Sequence, residues 1–460
     1  MESTICAIAT APGGAIGVIR VSGPEAIAIT NQIFHPFKGE SLLNRKGHSL
    51  TFGNIVSKDN EIIDEVLVSL FRAPHSYTGE DSTEISCHGS AYILHRVLQE
   101  LLQAGCSLAA PGEYTQRAFL NGKMDLSQAE AVADLIASSS AASHRMAMNQ
   151  MRGGFSRELA LLREKLLHIT SLMELELDFS DHEDLEFADR SELKSLAQHI
   201  QQTIRKLVQS FSVGNALKNG VPVAIVGETN AGKSTLLNAL LNEERAIVSD
   251  VHGTTRDVIE DVMNLGGINF RFIDTAGIRD TTDEIESLGI ERSFSKMEQA
   301  DIVLWVIDAK EAQAQYEKLS ETILQHCADK KLMIILNKVD LLPEDAAVQL
   351  PVSEDIEVYR MSAKQKAGLT DLEEHLVAAA SVPEINSSDI IVSNARHHEA
   401  LRLALESIDR VLVAMDMNLS GDLVSQDLRE CLFHLAEITG GEVTTDEVLG
   451  NIFKNFCVGK

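Results

Sequence analysis

The feature that most constrains the fold of this chain is a glycine-rich octapeptide between a predicted strand and a predicted helix. Residues 221–226 form an apolar run of strand length, and a helical pattern of leucines (Leu236, Leu237, Leu240) follows residue 235. The segment between them reads Gly227-Glu228-Thr229-Asn230-Ala231-Gly232-Lys233-Ser234. A strand, a loop of this form and a helix in direct succession are typical of a phosphate-binding loop in an α/β domain with a mostly parallel sheet.

The residue types of this loop suit phosphate chemistry. Its glycines let backbone N–H groups close around phosphate oxygens, and the N-terminus of the following helix contributes a positive dipole end. We expect Lys233 to reach the β- and γ-phosphates and the Ser234 hydroxyl to bind Mg²⁺. The predicted contacts of the loop with the nucleotide are Asn230, Ala231, Gly232, Lys233, Ser234 and Thr235.

Two later segments identify the base. Asn337-Lys338-Val339-Asp340 follows an apolar run, and the Asp340 carboxylate can accept hydrogen bonds from guanine N1–H and the exocyclic amine, a pair of donors that adenine lacks. Ser362-Ala363-Lys364 is expected to bring a backbone amide to guanine O6. The sequence therefore predicts GTP as the nucleotide.

Two further segments fit the regions that sense the γ-phosphate. Asp274-Thr275-Ala276-Gly277 is expected to place Asp274 in the Mg²⁺ shell and the Gly277 N–H near the γ-phosphate. The other segment lies between the first helix and the second strand, and it would bring the Thr255 hydroxyl to Mg²⁺. Its predicted nucleotide contacts are Ser249, Asp250, Val251, His252, Gly253, Thr254 and Thr255.

The hydrolytic machinery differs from that of Ras-like proteins, in which a glutamine after Asp-x-x-Gly orients the attacking water. Ile278 holds that place here and cannot polarise water, so one of the nearby acids must serve; these are Asp280, Asp283, Glu284 and Glu286. The transition state also needs a cation, from an arginine finger or a metal ion. The Asn230 side chain and backbone carbonyls of residues 249–254 could form an oxygen cage for a monovalent ion. The residues alone leave these alternatives open.

The organisation of the whole chain indicates a multidomain α/β protein. A length of 460 residues predicts two to four domains. Residues 1–120 alternate short β segments with turns and one helix, as in a small α+β domain. Residues 121–216 and 382–460 have helical periodicity and flank the nucleotide module at 217–381. We expect the module to be inserted into one discontinuous helical domain, although two separate flanking bundles would produce the same pattern.

Composition narrows the function classes. Hydrophobic residues make up 44% of the chain and charged residues 23%, a globular balance. The formal net charge of −28 disfavours stand-alone binding of RNA, because such binding depends on Lys and Arg. No membrane-length apolar stretch or secretory leader is visible, which predicts a cytoplasmic protein without a membrane span. The six cysteines are expected to be free thiols, and Cys457 is either a packed thiol or a nucleophile.

Several segments outside the nucleotide motifs give the chain a specific resemblance that runs from Ile5 to Lys460. They are Arg20-Val21-Ser22-Gly23-Pro24, Tyr77-Thr78-Gly79-Glu80-Asp81, Cys87-His88-Gly89, Pro111-Gly112-Glu113-Tyr114-Thr115, residues 117–126 and the terminal Phe456-Cys457-Val458-Gly459-Lys460. With these segments the chain resembles the MnmE (TrmE) family of tRNA-modifying GTPases. Family phosphate loops usually have Pro where this chain has Thr229, a change that removes no ligand and predicts a modest effect.

The resemblance implies an N-terminal folate-binding domain that drives homodimerisation, a discontinuous all-helical domain and an inserted Ras-like GTPase domain. It implies that the protein works in a heterotetramer-type complex with the FAD-dependent protein MnmG. The two proteins would add an aminomethyl or carboxymethylaminomethyl group to C5 of the wobble uridine of certain tRNAs. The methylene would come from a tetrahydrofolate derivative, 5-formyl- or 5,10-methylene-tetrahydrofolate.

The resemblance also assigns roles to residues. Glu286 would be the general base acting through a bridging water. K⁺ would replace the arginine finger when two GTPase domains meet, held by Asn230, Ser249, Val251 and Thr254. The folate would be bound by Arg20, Glu84, Lys123 and Lys460, with the C-terminal Lys460 reaching the N-terminal domain across a dimer.

Two other classes of GTPase compete with this interpretation. A regulatory or ribosome-assembly GTPase would carry a basic RNA-binding module, which the sequence lacks. A septin-like structural GTPase would show sustained heptads in its terminal helices, and none are present. The resemblance therefore favours a tRNA modification enzyme over both.

Overall fold

The computed structural model describes residues 3–178, 190–243, 261–273, 297–343, 348–353, 356–380, 389–417 and 419–441. Nearer the C-terminus it describes residues 449, 452, 453, 456 and 459. The chain divides into two compact units. The first comprises residues 1–136, 150–200 and 403–460, and the second comprises residues 137–149 and 201–402.

The described residues contain thirteen strands and thirteen α-helices. The strands are β1 (Ile5–Ile8), β2 (Ile16–Ser22), β3 (Phe34–Pro36), β4 (Ser49–Val56), β5 (Ile62–Phe71), β6 (Ser82–His88), β7 (Ser107–Leu108), β8 (Val221–Val226), β9 (Asp261–Leu265), β10 (Ile268–Phe272), β11 (Ile302–Asp308), β12 (Lys331–Asn337) and β13 (Glu357–Arg360). The helices are α1 (Ala26–Ile33), α2 (Ala91–Gln103), α3 (Glu113–Leu120), α4 (Leu126–Ala137), α5 (Ala141–Met151), α6 (Gly154–Asp178), α7 (Arg190–Gln209), α8 (Phe211–Asn219), α9 (Lys233–Glu243), α10 (Ala312–His326), α11 (Leu369–Ala379), α12 (Ala395–Asp416) and α13 (Gly421–Thr439).

The first unit is built on a seven-stranded sheet in the order β3-β4-β5-β6-β2-β1-β7. Its pairs are antiparallel except for β1 with β7. Alternate residues of a strand point to opposite faces, so Val66, Val68 and Leu70 of β5 are buried while Leu67 is exposed. The buried face packs against α1 and α2 through Ile29 and Leu94 among others. One face of the sheet therefore forms a core and the other remains accessible.

The second unit is built on a six-stranded sheet in the order β13-β12-β11-β8-β10-β9. All pairs are parallel except β9 with β10. Leucines of α9 and α11, such as Leu236 and Leu372, pack on one face, and Tyr316 of α10 stacks on Trp305 on the other. Because both faces are covered, β11 is an apolar run buried from Ile302 to Ile307. The sheet is the mostly parallel one that the sequence predicts.

Helices from both flanks of the nucleotide module pack together in the first unit. Helix α6 precedes the module, α13 follows it, and the two are in extensive contact. Glu174 of α6 forms an ion pair with Arg429 of α13. The contact is that of one discontinuous helical domain rather than of two separate bundles. None of the described helices is long and apolar enough to cross a membrane.

Candidate functional site

The phosphate loop connects β8 to α9 at the carboxyl end of the parallel sheet. Gly227 has a φ of +144°, and a Cβ there would lie 2.2 Å from the Val306 carbonyl oxygen. Gly232 has a φ of +102°, and a Cβ there would lie 2.1 Å from the Asn337 amide nitrogen. Only glycine fits these two positions, since positive φ and close approach both exclude a side chain. The loop is thus pressed against the ends of β11 and β12.

Lys233 begins α9 and folds back over the loop. Its ammonium donates hydrogen bonds to the carbonyl oxygens of Gly227 and Glu228, at 2.8 and 2.7 Å. Ser234 follows in the first turn of α9 and is half-buried, whereas Thr235 is exposed. Lys233 and Ser234 thus lie at the N-terminus of α9, where N–H groups and an ammonium can donate to phosphate oxygens and a hydroxyl oxygen can bind Mg²⁺.

Asn337 joins two of the sequence-predicted segments. Its side chain is buried at the end of β12. The side-chain amide donates to the Ala231 carbonyl at 2.9 Å, and its oxygen accepts from the Ala363 N–H at 3.0 Å. The phosphate loop and the predicted guanine-reading segment are thus bound to one side chain.

Lys338, the next residue along the chain, also contacts the phosphate loop. It has a φ of +65°, an uncommon conformation for a residue with a side chain. Its ammonium donates to the Asn230 carbonyl at 2.6 Å and to the Asp308 carboxylate at 2.7 Å. Partial burial raises the pKa of Asp308, but the hydrogen bond and charge of Lys338, with those of Lys310, lower it overall. Asp308 was not singled out by the sequence, although it ends an apolar parallel strand beside the loop, where ligands bind in α/β sheets.

The remaining described residues of the nucleotide site surround this connection. Asp340 is exposed in a 3₁₀ turn at Val339–Leu341, as a base-binding carboxylate must be. Ser362 is buried, and its N–H donates to the Ala367 carbonyl at 3.0 Å. Ala363 is buried beside it and Lys364 is exposed. Asn230 has a φ of +64°, a conformation that asparagine tolerates better than most residues.

The other predicted site residues lie outside the described residues. They are Ser249, Asp250, Val251, His252, Gly253, Thr254, Thr255, Asp274, Thr275, Ala276, Gly277, Glu286 and Lys460. Their roles stay predictions.

A second group of predicted residues lies in the first unit, where Arg20 and Glu84 are on the accessible face of the sheet. Arg20 of β2 is opposite Glu84 of β6 in the register, and its Nε and Nη2 lie 2.9 and 2.8 Å from the Glu84 carboxylate. Lys123 donates to the Pro74 carbonyl at 3.0 Å and packs beside Gly79. Three of the four residues predicted to bind folate are therefore described. Arg20 and Glu84 lie on neighbouring strands, and Lys123 contacts the segment of residues 72–81.

Two tyrosines that the sequence did not single out complete this group. The Arg20 guanidinium carbon lies 5.5 Å from the ring centre of Tyr77 and 5.6 Å from that of Tyr114. The Tyr114 hydroxyl donates to the Arg20 carbonyl at 2.8 Å. Burial raises the pKa of both tyrosines, so both rings are neutral at physiological pH. The sequence did contain one signal for these tyrosines, because both lie within segments that resemble the MnmE family.

The C-terminal segment reaches the same group within one chain. The Gly459 carbonyl accepts from Arg20 Nη1 at 3.3 Å. Gly459 has a φ of +94°, and a Cβ there would lie 2.8 Å from the Ile8 carbonyl oxygen. Upstream, Phe456 packs against Gly112. Gly459 thus lies beside Arg20, whereas Lys460, the residue predicted to reach an N-terminal domain across a dimer, lies outside the described residues.

Comparison with known proteins identifies the family. A model described as the MnmE helical domain matches residues 126–457, and one described as the GTP-binding protein TrmE N-terminus matches residues 4–123. The chain belongs to the MnmE family. Three relatives called "tRNA modification GTPase MnmE" are 64% identical in Bacteroides fragilis, 61% in Phocaeicola vulgatus and 51% in Flavobacterium johnsoniae. The alignments cover 100% of this chain and 99–100% of each relative.

Membership of the MnmE family accounts for both groups of residues. The nucleotide motifs lie within residues 126–457 and Arg20 and Tyr114 lie within residues 4–123, the two ranges that the family models match. The predicted fold class is confirmed, with an N-terminal α+β domain, a discontinuous helical domain and an inserted GTPase domain of mostly parallel sheet. The protein is a GTPase of tRNA modification.

Proposed function

We propose that this GTPase binds GTP with Mg²⁺, hydrolyses it with K⁺ in place of an arginine finger, and uses the cycle to modify tRNA. Together with the flavin-dependent protein MnmG, it would add an aminomethyl or carboxymethylaminomethyl group to C5 of the wobble uridine in the cytoplasm. The GTPase part of this proposal rests on the hydrogen bonds of Asn337, whose side chain binds both the phosphate loop and the base-reading segment.

Guanine would be recognised by the exposed Asp340 and by the backbone of residues 362–364. The amides of Ser362 and Ala363 already donate to Ala367 and Asn337. We therefore assign the contact with guanine O6 to the amide of Lys364. Asp340 would accept from N1–H and the exocyclic amine, two donors that distinguish guanine from adenine.

The metal ions would be held by oxygens of the loop and of the two segments that sense the γ-phosphate. Ser234 and Thr255 would bind Mg²⁺, which neutralises charge on the phosphate oxygens. K⁺ would be bound by Asn230, Ser249, Val251 and Thr254. The left-handed backbone conformation of Asn230 supports this assignment, because the loop backbone defines where that side chain starts. Glu286 would accept the proton of the attacking water through a second water.

Folate binding would use Arg20, Glu84, Lys123 and Lys460. The two cations suit the carboxylates of a glutamyl tail, and the Glu84 carboxylate suits the amidine edge of a pterin. Arg20 and Glu84 are paired with side-chain exposures of only 19% and 30%, so they form a defined surface rather than two mobile charges. Gly459 beside Arg20 would bring the terminal Lys460 to the same ligand.

The homodimer would form through the accessible face of the N-terminal sheet. Leu50 and Phe52 of β4 and Leu67 of β5 are exposed on this face, and the ring of Phe37 packs on Phe52 at 4.8 Å. A contiguous apolar face of this kind is typical of an interaction surface. We propose domain boundaries at 1–120, 121–216, 217–381 and 382–460, with the second and fourth segments forming the helical domain.

The test of this proposal compares GTP hydrolysis in KCl and in NaCl at equal ionic strength. We expect faster hydrolysis in K⁺, because a cage of carbonyl and Asn230 oxygens sized for K⁺ fits the smaller Na⁺ badly. Asn230→Ala should erase the difference, whereas Asn219→Ala, which removes an exposed asparagine bonded to Asn215, should preserve it. Equal rates in both salts for the wild type would refute the K⁺ mechanism.

The tRNA part of the proposal needs a separate measurement. Nucleosides of tRNA from a deletion strain, analysed by mass spectrometry, should lack the modified wobble uridine and regain it when this chain is expressed. A strain whose wobble uridines are unchanged by the deletion would contradict the assignment.

A further inference from the structure

The phosphate loop is held from outside by a carboxylate that none of the nucleotide motifs contains. Asp308 ends β11, and its carboxylate binds Lys338 at 2.7 Å with side-chain exposures of 15% for Asp308 and 31% for Lys338. The other carboxylate oxygen accepts from the backbone N–H of Lys310 at 3.0 Å. The Asp308 N–H itself donates to the Gln315 side chain at 3.1 Å. The carboxylate is thus fixed on both sides.

Lys338 transmits this anchoring to one peptide of the loop. Its ammonium donates at 2.6 Å to the carbonyl of Asn230, and the neighbouring Asn337 amide donates at 2.9 Å to the carbonyl of Ala231. Two successive carbonyls of the loop are therefore oriented by two successive residues. Because the peptide unit is planar, holding the Asn230 carbonyl also holds the Asn230 Cα, the atom from which the side chain starts.

We infer that Asp308 is a positioning residue for the monovalent-cation site: by holding Lys338 on the Asn230 carbonyl, it fixes the loop conformation in which the Asn230 side chain binds K⁺. This inference rests on the proposed function, since it takes Asn230 as a K⁺ ligand. Asp308 touches neither the nucleotide nor the ion in this scheme. It acts through Lys338 alone.

The chain offers a matched control for this ion pair. Lys318 of α10 lies 2.7 Å from the carboxylate of Glu228, which is also a loop residue. That pair ends on a side chain and not on a loop carbonyl, and the Lys318 side chain is 71% exposed. Loss of the exposed pair should therefore leave the Asn230 peptide unchanged, although both pairs are equally short.

The experiment titrates KCl into the GTP hydrolysis assay for the wild type, Asp308→Asn and Lys318→Gln, at constant ionic strength. In Asp308→Asn the K⁺ concentration for half-maximal hydrolysis should rise roughly fivefold to tenfold, the scale of one net hydrogen bond. Excess K⁺ should restore most of the rate. Lys318→Gln should stay within about twofold of wild type, and Asp308→Glu, which retains the carboxylate, should recover part of the K⁺ response.

The outcomes separate this inference from the function on which it rests. If Asn230→Ala abolishes K⁺ selectivity while Asp308→Asn and wild type have the same K⁺ titration, the positioning role is wrong and the K⁺ site stands. If Asn230→Ala keeps K⁺ selectivity, the K⁺ site is wrong and the positioning role falls with it. Should Asp308→Asn not fold, judged by its thermal unfolding without nucleotide, the Asp308→Glu titration decides. A K⁺ titration between that of wild type and the roughly fivefold to tenfold rise expected for Asp308→Asn would support the positioning role, and one identical to that of wild type would refute it.

Discussion

Replacing Asn337 by alanine tests the connection between the phosphate loop and the base-reading segment most directly. The substitution removes the donor to the Ala231 carbonyl and the acceptor of the Ala363 N–H. Both backbone groups belong to buried residues, at 0% and 3% exposure. Leaving a buried polar group unsatisfied costs about 1–3 kcal/mol, so the two together cost about 2–6 kcal/mol.

That cost should be expressed mainly as weaker nucleotide binding, because both orphaned groups belong to loops that surround the nucleotide. A loss of about 2–6 kcal/mol corresponds to a Kd increase of roughly thirtyfold to twenty-thousandfold. Binding of a fluorescent GDP analogue in a stopped-flow instrument would measure the change in Kd and in the dissociation rate. Urea unfolding of the nucleotide-free protein would measure the share of the cost that reduces stability instead.

The control is another buried asparagine of the same sheet. Asn269 of β10 is 7% exposed and bonds to Asn264 and Ser139, away from the phosphate loop. Asn269→Ala should lower the free energy of unfolding and leave the Kd for GDP near that of wild type. If Asn337→Ala also binds GDP within about threefold of wild type, the two hydrogen bonds are not what orders the loop, and the reasoning fails.

Three further changes probe the rest of the site. Asp340→Asn should move base preference from guanine toward xanthine in competition binding, because the amide presents a donor where xanthine offers an acceptor; unchanged preference for GTP would remove the base assignment. Glu286→Ala should keep GTP affinity near wild type and slow single-turnover hydrolysis by about 10²-fold or more; an unaffected rate would move the base to Glu284 or Asp283. Deleting residues 458–460 should abolish tRNA modification and binding of 5-formyltetrahydrofolate while GTP hydrolysis persists, and a truncated protein that retains both would make Lys460 a surface charge only.

The sequence predicted the fold of the second unit well because its signals are local. The apolar run at 221–226, the glycines of the loop and the leucines of α9 each constrain neighbouring residues, and β8 and α9 begin within a residue or two of the predicted positions. The position of Asn337 and Lys338 beside the loop was also predictable. Both residues lie at the carboxyl end of β12, and parallel strands end at a common edge of the sheet.

The side-chain contacts within the site could not be predicted from local sequence patterns, because they join residues that are distant in sequence. Asp308 is 30 positions from Lys338 and belongs to no motif. Arg20 and Tyr114 are 94 positions apart, and only the strand register shows that Arg20 faces Glu84. Spacing along a chain cannot predict such pairs, whereas it does predict which strand and which end of the sheet a residue occupies.

In both sites a positively charged side chain is held in place by oxygen acceptors of the protein, in a chain with a net charge of −28. Lys338 is held by the Asp308 carboxylate and the Asn230 carbonyl, and Arg20 by the Glu84 carboxylate and the Gly459 carbonyl. Each long side chain has therefore lost its rotamer freedom within the folded protein. An immobilised side chain of this kind saves about 0.5–1.5 kcal/mol when a ligand binds, because its ordering is already complete. For Arg20 the two flanking tyrosine rings add to the restraint, so a folate carboxylate would meet a guanidinium that needs no further ordering.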